Sequence, residues 1–442
     1  MRNNKDMYIN YERSYKRRRR GNHKWWLVII AAIIVIGLGF AAFYIIKTKI
    51  NTEKQDIEST QEQTPKENKQ NPIKLANNKD NQRTPQVTLS PTPTISFANE
   101  TKEVVQNGSR KPVKVKGIYV TAPVAGGDLL DELVNIADTT EINAMVIDIK
   151  DDLGKISFSM DSAIAQEIGA VSNTISDMET LVTTLKDKNI YLIARIVAFK
   201  DPYLAEQRMD LAIKNQDGSL YRDNNGEGWV NPYNREVWDY LVEIATQAAV
   251  IGFDEIQFDY IRFSTGGEIS KADFGTEAKT KSKEDIIIEF TKYAYERLKP
   301  LGVFVSADVY GTIINSSIDA GLVGQNYVEM SKYLDYICPM IYPSHFGEGN
   351  YGIEHPDLEP FNIINKALIA SKTKLDQIPE GIHRAVVRPW LQDFTATWIE
   401  NHIVYGGKEL KEQIKGVYEA GYEEWLLWNA VCNYSEDGLI ED

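Results

Sequence analysis

The sequence predicts an α/β chain whose folded part is a (β/α)8 TIM barrel, preceded by a transmembrane helix and a disordered linker. Three observations carry that expectation. Eight short apolar runs alternate with helical patterns over about 320 residues. A run without any charge lies near the N-terminus, and a polar stretch poor in aromatics separates it from the barrel.

The chain has 442 residues and a net charge of −14. The charge is uneven: residues 1–24 hold nine Lys/Arg against two Asp/Glu, and the rest is strongly acidic. Nucleic acid is therefore not an expected partner. WWLVIIAAIIVIGLGFAAFYII, residues 25–46, is uncharged. At about 1.5 Å per residue it spans roughly 33 Å, enough for a bilayer core. Trp25, Trp26 and Tyr44 sit near its ends, as an aromatic belt would. The run is too long for a cleaved signal peptide. It reads as a signal anchor in the cell membrane. KRRRR at 16–20 keeps the N-terminus cytoplasmic and puts the C-terminal domain on the extracytoplasmic side. Gly37 and Gly39 do not make the GxxxG dimer spacing, so the oligomeric state stays open. Residues 47–112, rich in Lys, Asn, Gln, Thr and Pro, bury too little apolar surface to fold and read as a linker.

The barrel is expected over 113–442. Its strands are read as GIYVTA (117–122), AMVIDIK (144–150), IYLIARIVAF (190–199), EIQFDYIRF (255–263), VFVSADVYG (303–311), YICPMIYPS (336–344), HRAVVRPWL (383–391) and EWLLWNAV (424–431). Helical patterns precede strands two, three, four and five. Before strand four, Asn231 is expected to cap and Pro232 to take the first helical position, with Val237, Leu241, Ile244 and Ala248 on one apolar face. An open doubly wound sheet would want a glycine-rich phosphate turn after strand one, and GIYVTAPVAGGD lacks GxGxxG.

In such a barrel the active site lies at the carboxyl ends of the strands. Those ends carry Asp148, Arg195, Asp259, Tyr260, Arg262, Asp308, Tyr310, Tyr342, His345, Trp390 and Trp428. Aromatic faces stack on sugar rings, while carboxylates and Arg bond hydroxyls. Hydrolysis of a glycosidic bond uses two carboxyl groups flanking it. Asp259 and Asp308, late in adjacent strands, are the best catalytic pair. Alternation puts Gln257 and Asp259 on the inner face and Phe258 and Tyr260 against the helices. The remaining nine rim residues are expected to bind substrate. The polar loop 267–283 is expected to cover the mouth.

Each residue also has a plainer role open to it. Asp259 would serve as an ion-pair partner of Arg195 or Arg262. Asp308 would serve as a helix cap, Asp148 as an orienter of Arg195, and Trp390 and Trp428 as core. His345 suits a structural contact equally well. Asp151 and Asp152 read as loop or cap residues. The five His make no HxH or HExxH spacing, so no metal site is expected. No Walker loop or GxSxG elbow is present, and no cofactor is expected. Cys338 and Cys432 read as buried thiols, with a bridge left open.

KGIYVTA, MVIDIKDD, QFDYIRF, SADVYG and PMIYPSH occur in this order, and the chain resembles a bacterial family of glycosyl hydrolase domains over about residues 115–437. The resemblance implies a glycoside-hydrolase-like TIM barrel and a polysaccharide substrate. Related barrels carry a nucleophilic Asp at the end of strand four, similar to Asp259, and an acid/base on strand five or six. Many have Glu where this chain has Asp308, and strand six has no carboxylate before Glu348. The family also includes membrane-anchored members, in keeping with 25–46. Two functions follow as expectations: a membrane-anchored glycoside hydrolase acting on a cell-envelope or secreted polysaccharide, or a glycan-binding barrel without catalysis that scaffolds the envelope.

Overall fold

The structure, a computed structural model, describes residues 110–440. The expected cytoplasmic segment 1–24, the span 25–46 and linker residues 47–109 lie outside the described residues. Among the described residues no helix is long and apolar enough to cross a membrane.

The barrel strands are β1 (Lys116–Val120), β2 (Ala144–Lys150), β3 (Tyr191–Val197), β4 (Glu255–Asp259), β5 (Phe304–Tyr310), β6 (Tyr336–Met340), β7 (Val386–Val387 and Trp390–Gln392) and β8 (Trp425–Trp428). All neighbouring pairs are parallel, and β8 pairs with both β7 and β1, which closes the sheet. The eight expected strands therefore stand, but most are shorter than expected. β7 is split, with Arg388 and Pro389 between its halves, because proline cannot donate to the ladder.

The principal return helices are α1 (Leu130–Thr139), α2 (Met178–Asp187), α3 (Arg235–Ile251), α4 (Lys283–Leu298), α5 (Tyr327–Ser331), α6 (Pro360–Leu375) and α7 (Gly407–Glu419). α4 begins with a capping box, in which the Ser282 hydroxyl and the Asp285 carboxylate each accept from the other's backbone N–H. α3 buries Val237, Leu241, Ile244 and Ala248, as its periodicity requires. Its cap is Asn234 rather than Asn231. Asn231 instead accepts from the N–H of Tyr233 in a local turn, and this uses up Pro232 before the helix begins.

The amino end of the barrel is sealed by a buried ion cluster. Arg388 donates Nη1 to both oxygens of Glu255 at 2.9 Å and Nε to Glu424 at 2.8 Å. The Tyr191 hydroxyl also donates to Glu255 at 3.0 Å. Arg110 reaches this end of the barrel, donating to the Val303 carbonyl and to Asp335, so the folded part begins before the expected boundary at 113. Cys338 and Cys432 are both buried free thiols.

Truncating Arg388 would leave Glu255 charged and unpaired in the interior. Arg388→Met is expected to cost about 3–5 kcal/mol, read as a lowered urea midpoint at unchanged slope.

Candidate active site

The carboxyl end of the barrel is organised around Arg195. This residue faces inward from β3 and is 1% exposed. Its Nη1 donates to Asp148 at 2.6 Å and its Nη2 to Asp152 at 2.8 Å. Nε and Nη2 donate to Asp259 at 3.1 and 2.6 Å. Strand register explains the first and last of these contacts. Asp148 lies beside Arg195, while Asp259 lies beside Val197, two residues further along the same strand. Burial would lower the pKa of Arg195, but the charges of Asp148, Asp259 and Asp152 outweigh it and raise it.

Asp259 and Asp308 occupy the same level of neighbouring strands, one residue beyond the paired Phe258 and Ala307. Their surroundings differ. Asp259 has the Arg195 guanidinium. Asp308 is 2% exposed and accepts a hydrogen bond from Trp390 Nε1 at 2.6 Å, with no ion pair among the described residues. Burial, reinforced by the negative charge of Asp259, pushes the Asp308 carboxyl well above the usual range. Asp308 caps no helix.

Both carboxylates line one cavity of about 310 Å³. Arg195, Tyr260, Arg262, Tyr310, Tyr342, His345, Trp390 and Trp428 line it too. Asp148 does not; it lies behind Arg195, where it accepts from the Tyr119 hydroxyl. Asp148 thus stands behind the cavity wall, in a position that orients Arg195. Trp390 is buried and spends its N–H on Asp308, whereas Trp428 is half-buried and stacks on Tyr119 at 4.2 Å. His345 shares a hydrogen bond with Ser344. Burial lowers its pKa to about 4, so the imidazole is neutral at physiological pH.

Tyr260 does not pack against the helices. Strand β4 stops at Asp259, and Tyr260 adopts a left-handed backbone with φ of 49°. The Asp259 carboxylate accepts from the Tyr260 N–H at 2.6 Å and holds this turn. Phe258 does face the helices, edge-on to Phe290 of α4.

Loop 267–283 is also corrected. None of its residues lines the cavity. Ala272–Asp273 is instead held antiparallel to Lys214–Asn215, in the excursion between β3 and α3. That excursion contributes Lys200, Asp223, Asn225 and Trp229 to the cavity wall. Sequence pattern does not mark these four residues, nor does it mark Asp152, for which it predicts a loop or cap role. Asp151 is the loop residue, accepting from the N–H groups of Leu153 and Lys155. The acid density of DIKDD was the available signal for Asp152. Among the described residues no cluster suited to a metal ion occurs.

The sequence matches the model of a family described as "Putative glycosyl hydrolase domain" over residues 117–434. The chain belongs to this family. It is 43% identical to a hypothetical protein from Ruminiclostridium thermocellum ATCC 27405, with 43% of this chain and 97% of that chain covered and a TM-score of 0.40. The glycoside hydrolase domain of PgaB (BpsB) from Bordetella bronchiseptica shares the fold, at 12% identity and a TM-score of 0.52, over 75% of this chain and all of that one. No curated protein matches the sequence. The family and the fold together make this a glycoside-hydrolase-like (β/α)8 barrel.

Burial drives the Asp148 pKa up to about 6, against the pull of Arg195. A carboxyl raised in the folded state favours folding when protonated, and that contribution is lost as pH rises from about 4 to 6. Asp148→Asn removes this loss. The variant loses one partner of Arg195 at every pH, but its stability relative to wild type is expected to rise as pH increases across that window. Paired urea titrations at pH 4 and pH 7 check the sign.

Proposed function

We propose that the barrel hydrolyses glycosidic bonds, with Asp259 as nucleophile or base and Asp308 as general acid. The observation that carries this reading is the contrast between two carboxyl groups in one cavity. Asp259 is ion-paired with a guanidinium; Asp308 is buried with no ion pair among the described residues and favours its proton. Environments that push two neighbouring carboxyl groups apart in this way suit an acid and a base working together. Arg195 fixes Asp259, and Trp390 fixes Asp308. Tyr260, Arg262, Tyr310, Tyr342, His345 and Trp428 surround the space a sugar ring would fill, offering aromatic faces and hydrogen-bond donors. The substrate class is a cell-envelope or secreted polysaccharide.

A second reading is glycan binding without cleavage. The depth of Asp308, only 2% exposed, favours it. Reducing-end release from bacterial envelope polysaccharides separates the two. The full chain should release new ends, and Asp259→Asn should lower the rate at least 10³-fold. Binding by both proteins with release by neither would establish the second reading.

Asp308 has its own signature. Asp308→Asn is expected to lose about 10²–10⁴-fold on natural glycosides and much less on aryl glycosides with good leaving groups. The wild-type rate should fall as pH rises through the elevated Asp308 pKa. This alkaline limb should vanish in the variant.

We propose further that 25–46 anchors the chain in the cell membrane, with 1–24 in the cytoplasm, 47–109 as a tether and the barrel outside. The charge-free apolar run behind a basic cluster supports this. After an alkaline carbonate wash the full chain should stay in the membrane pellet, and a chain lacking 25–46 should move to the supernatant.

A further inference from the structure

Arg262 differs from the other cations of the cavity. Arg195 is surrounded by three carboxylates, and Lys200 lies 3.1 Å from Glu227 and 3.8 Å from Asp152. Arg262 forms no ion pair among the described residues, although it is only 8% exposed. Its Nη1 donates to the Phe263 carbonyl at 2.9 Å. Three rings surround the guanidinium carbon, with centroids at 5.1 Å for Trp229, 4.9 Å for Tyr260 and 4.7 Å for Tyr310. The side chain lines the cavity beside Ser264 and Thr265.

A buried guanidinium is costly unless its charge is met. The aromatic cage offsets part of that cost but uses none of the fork of N–H donors. That fork matches a planar carboxylate through two parallel hydrogen bonds. The cage also holds the guanidinium in place, so little ordering remains to be done when an anion arrives.

We propose that Arg262 recognises a carboxylate carried by the sugar ring, which makes the substrate an acidic glycan. This rests on the hydrolase reading of the same cavity and names its substrate class. Arg262 follows Asp259 by three residues through the fixed turn at Tyr260, so the anion is held at a set offset from the bond to be cut. A singly charged carboxylate fits better than a doubly charged phosphate, because Asp152, Asp223 and Asp259 line the same cavity and repel added negative charge.

The test uses the full chain and tetrasaccharides of galacturonate, mannuronate and hyaluronan, each beside its carboxyl-reduced neutral counterpart. Inorganic phosphate serves as a competitor. Binding is read by calorimetry. At least one acidic tetrasaccharide should bind 10- to 100-fold more tightly than its neutral counterpart. Arg262→Gln should erase that difference, and Arg262→Lys should keep a small part of it. Equal binding of acidic and neutral forms by wild type overturns the carboxylate site while leaving the hydrolase reading intact. So does a preference that survives in Arg262→Gln. Displacement of the acidic tetrasaccharide by phosphate at comparable concentration assigns a phosphate site and also overturns the proposal. Binding of neither form, with no release from any envelope polysaccharide, removes both readings. The wild-type comparison needs no variant, so a misfolded Arg262→Gln does not decide the result.

Discussion

A guanidinium sealed inside a barrel is the constraint on which the rest of this site depends. Unpaired, Arg195 would cost several kcal/mol to bury. It is paired by Asp148 from β2, by Asp152 just beyond β2 and by Asp259 from β4. One side chain therefore ties three neighbouring elements at the mouth. The dependence runs both ways, because three carboxylates this close would repel one another without the cation between them. The network also stops short of Asp308. That residue is left with burial, a tryptophan N–H and the nearby charge of Asp259. The chemical asymmetry of the pair is thus a by-product of where Arg195 can reach.

The opposite end of the barrel solves the same problem to another purpose. Arg388 joins Glu255 and Glu424, but there the cluster is closed off by Tyr191 and Tyr336. The two networks meet on one strand. Glu255, Gln257 and Asp259 alternate along β4 and all face inward. Glu255 pairs with Arg388, Gln257 contacts the thiol of Cys338 at 3.5 Å, and Asp259 pairs with Arg195. The same period of two that would ordinarily bury three apolar residues here carries a carboxylate at the sealed end, a neutral spacer and a carboxylate at the cavity.

That alternation was legible in the sequence, as were the eight strands, the apolar face of α3 and the inward aim of Asp259. They follow from local pattern and parallel register. What was not legible depends on segments that fold back. Asp223, Asn225 and Trp229 reach the cavity from an excursion between β3 and α3, held by short antiparallel bridges that carry little local signal. Asp152 escapes the pattern because it lies beyond the last residue of β2, where strand alternation gives no guide to direction. Lys150 itself is fully buried against Asp201, which no spacing rule foretold. Loop 267–283 has the composition of a lid, but composition does not say which neighbour a loop will pair with.

The end of β4 shows most clearly how backbone geometry selects function here. Had the strand continued in register, alternation would have turned Tyr260 and Arg262 outward into the helices and Ile261 inward to the mouth. Instead the strand stops, and Tyr260 enters the left-handed region at a cost of order 1–3 kcal/mol for a bulky residue. The Asp259 carboxylate helps to hold it there through the Tyr260 N–H. The consequence is an exchange of faces. Ile261 and Phe263 become fully buried, while Tyr260 and Arg262 join the cavity wall. A catalytic candidate, an aromatic wall and a caged cation are thereby delivered within four consecutive residues, and the strain at Tyr260 is what lets it and Arg262 face the same space as Asp259 and Asp308.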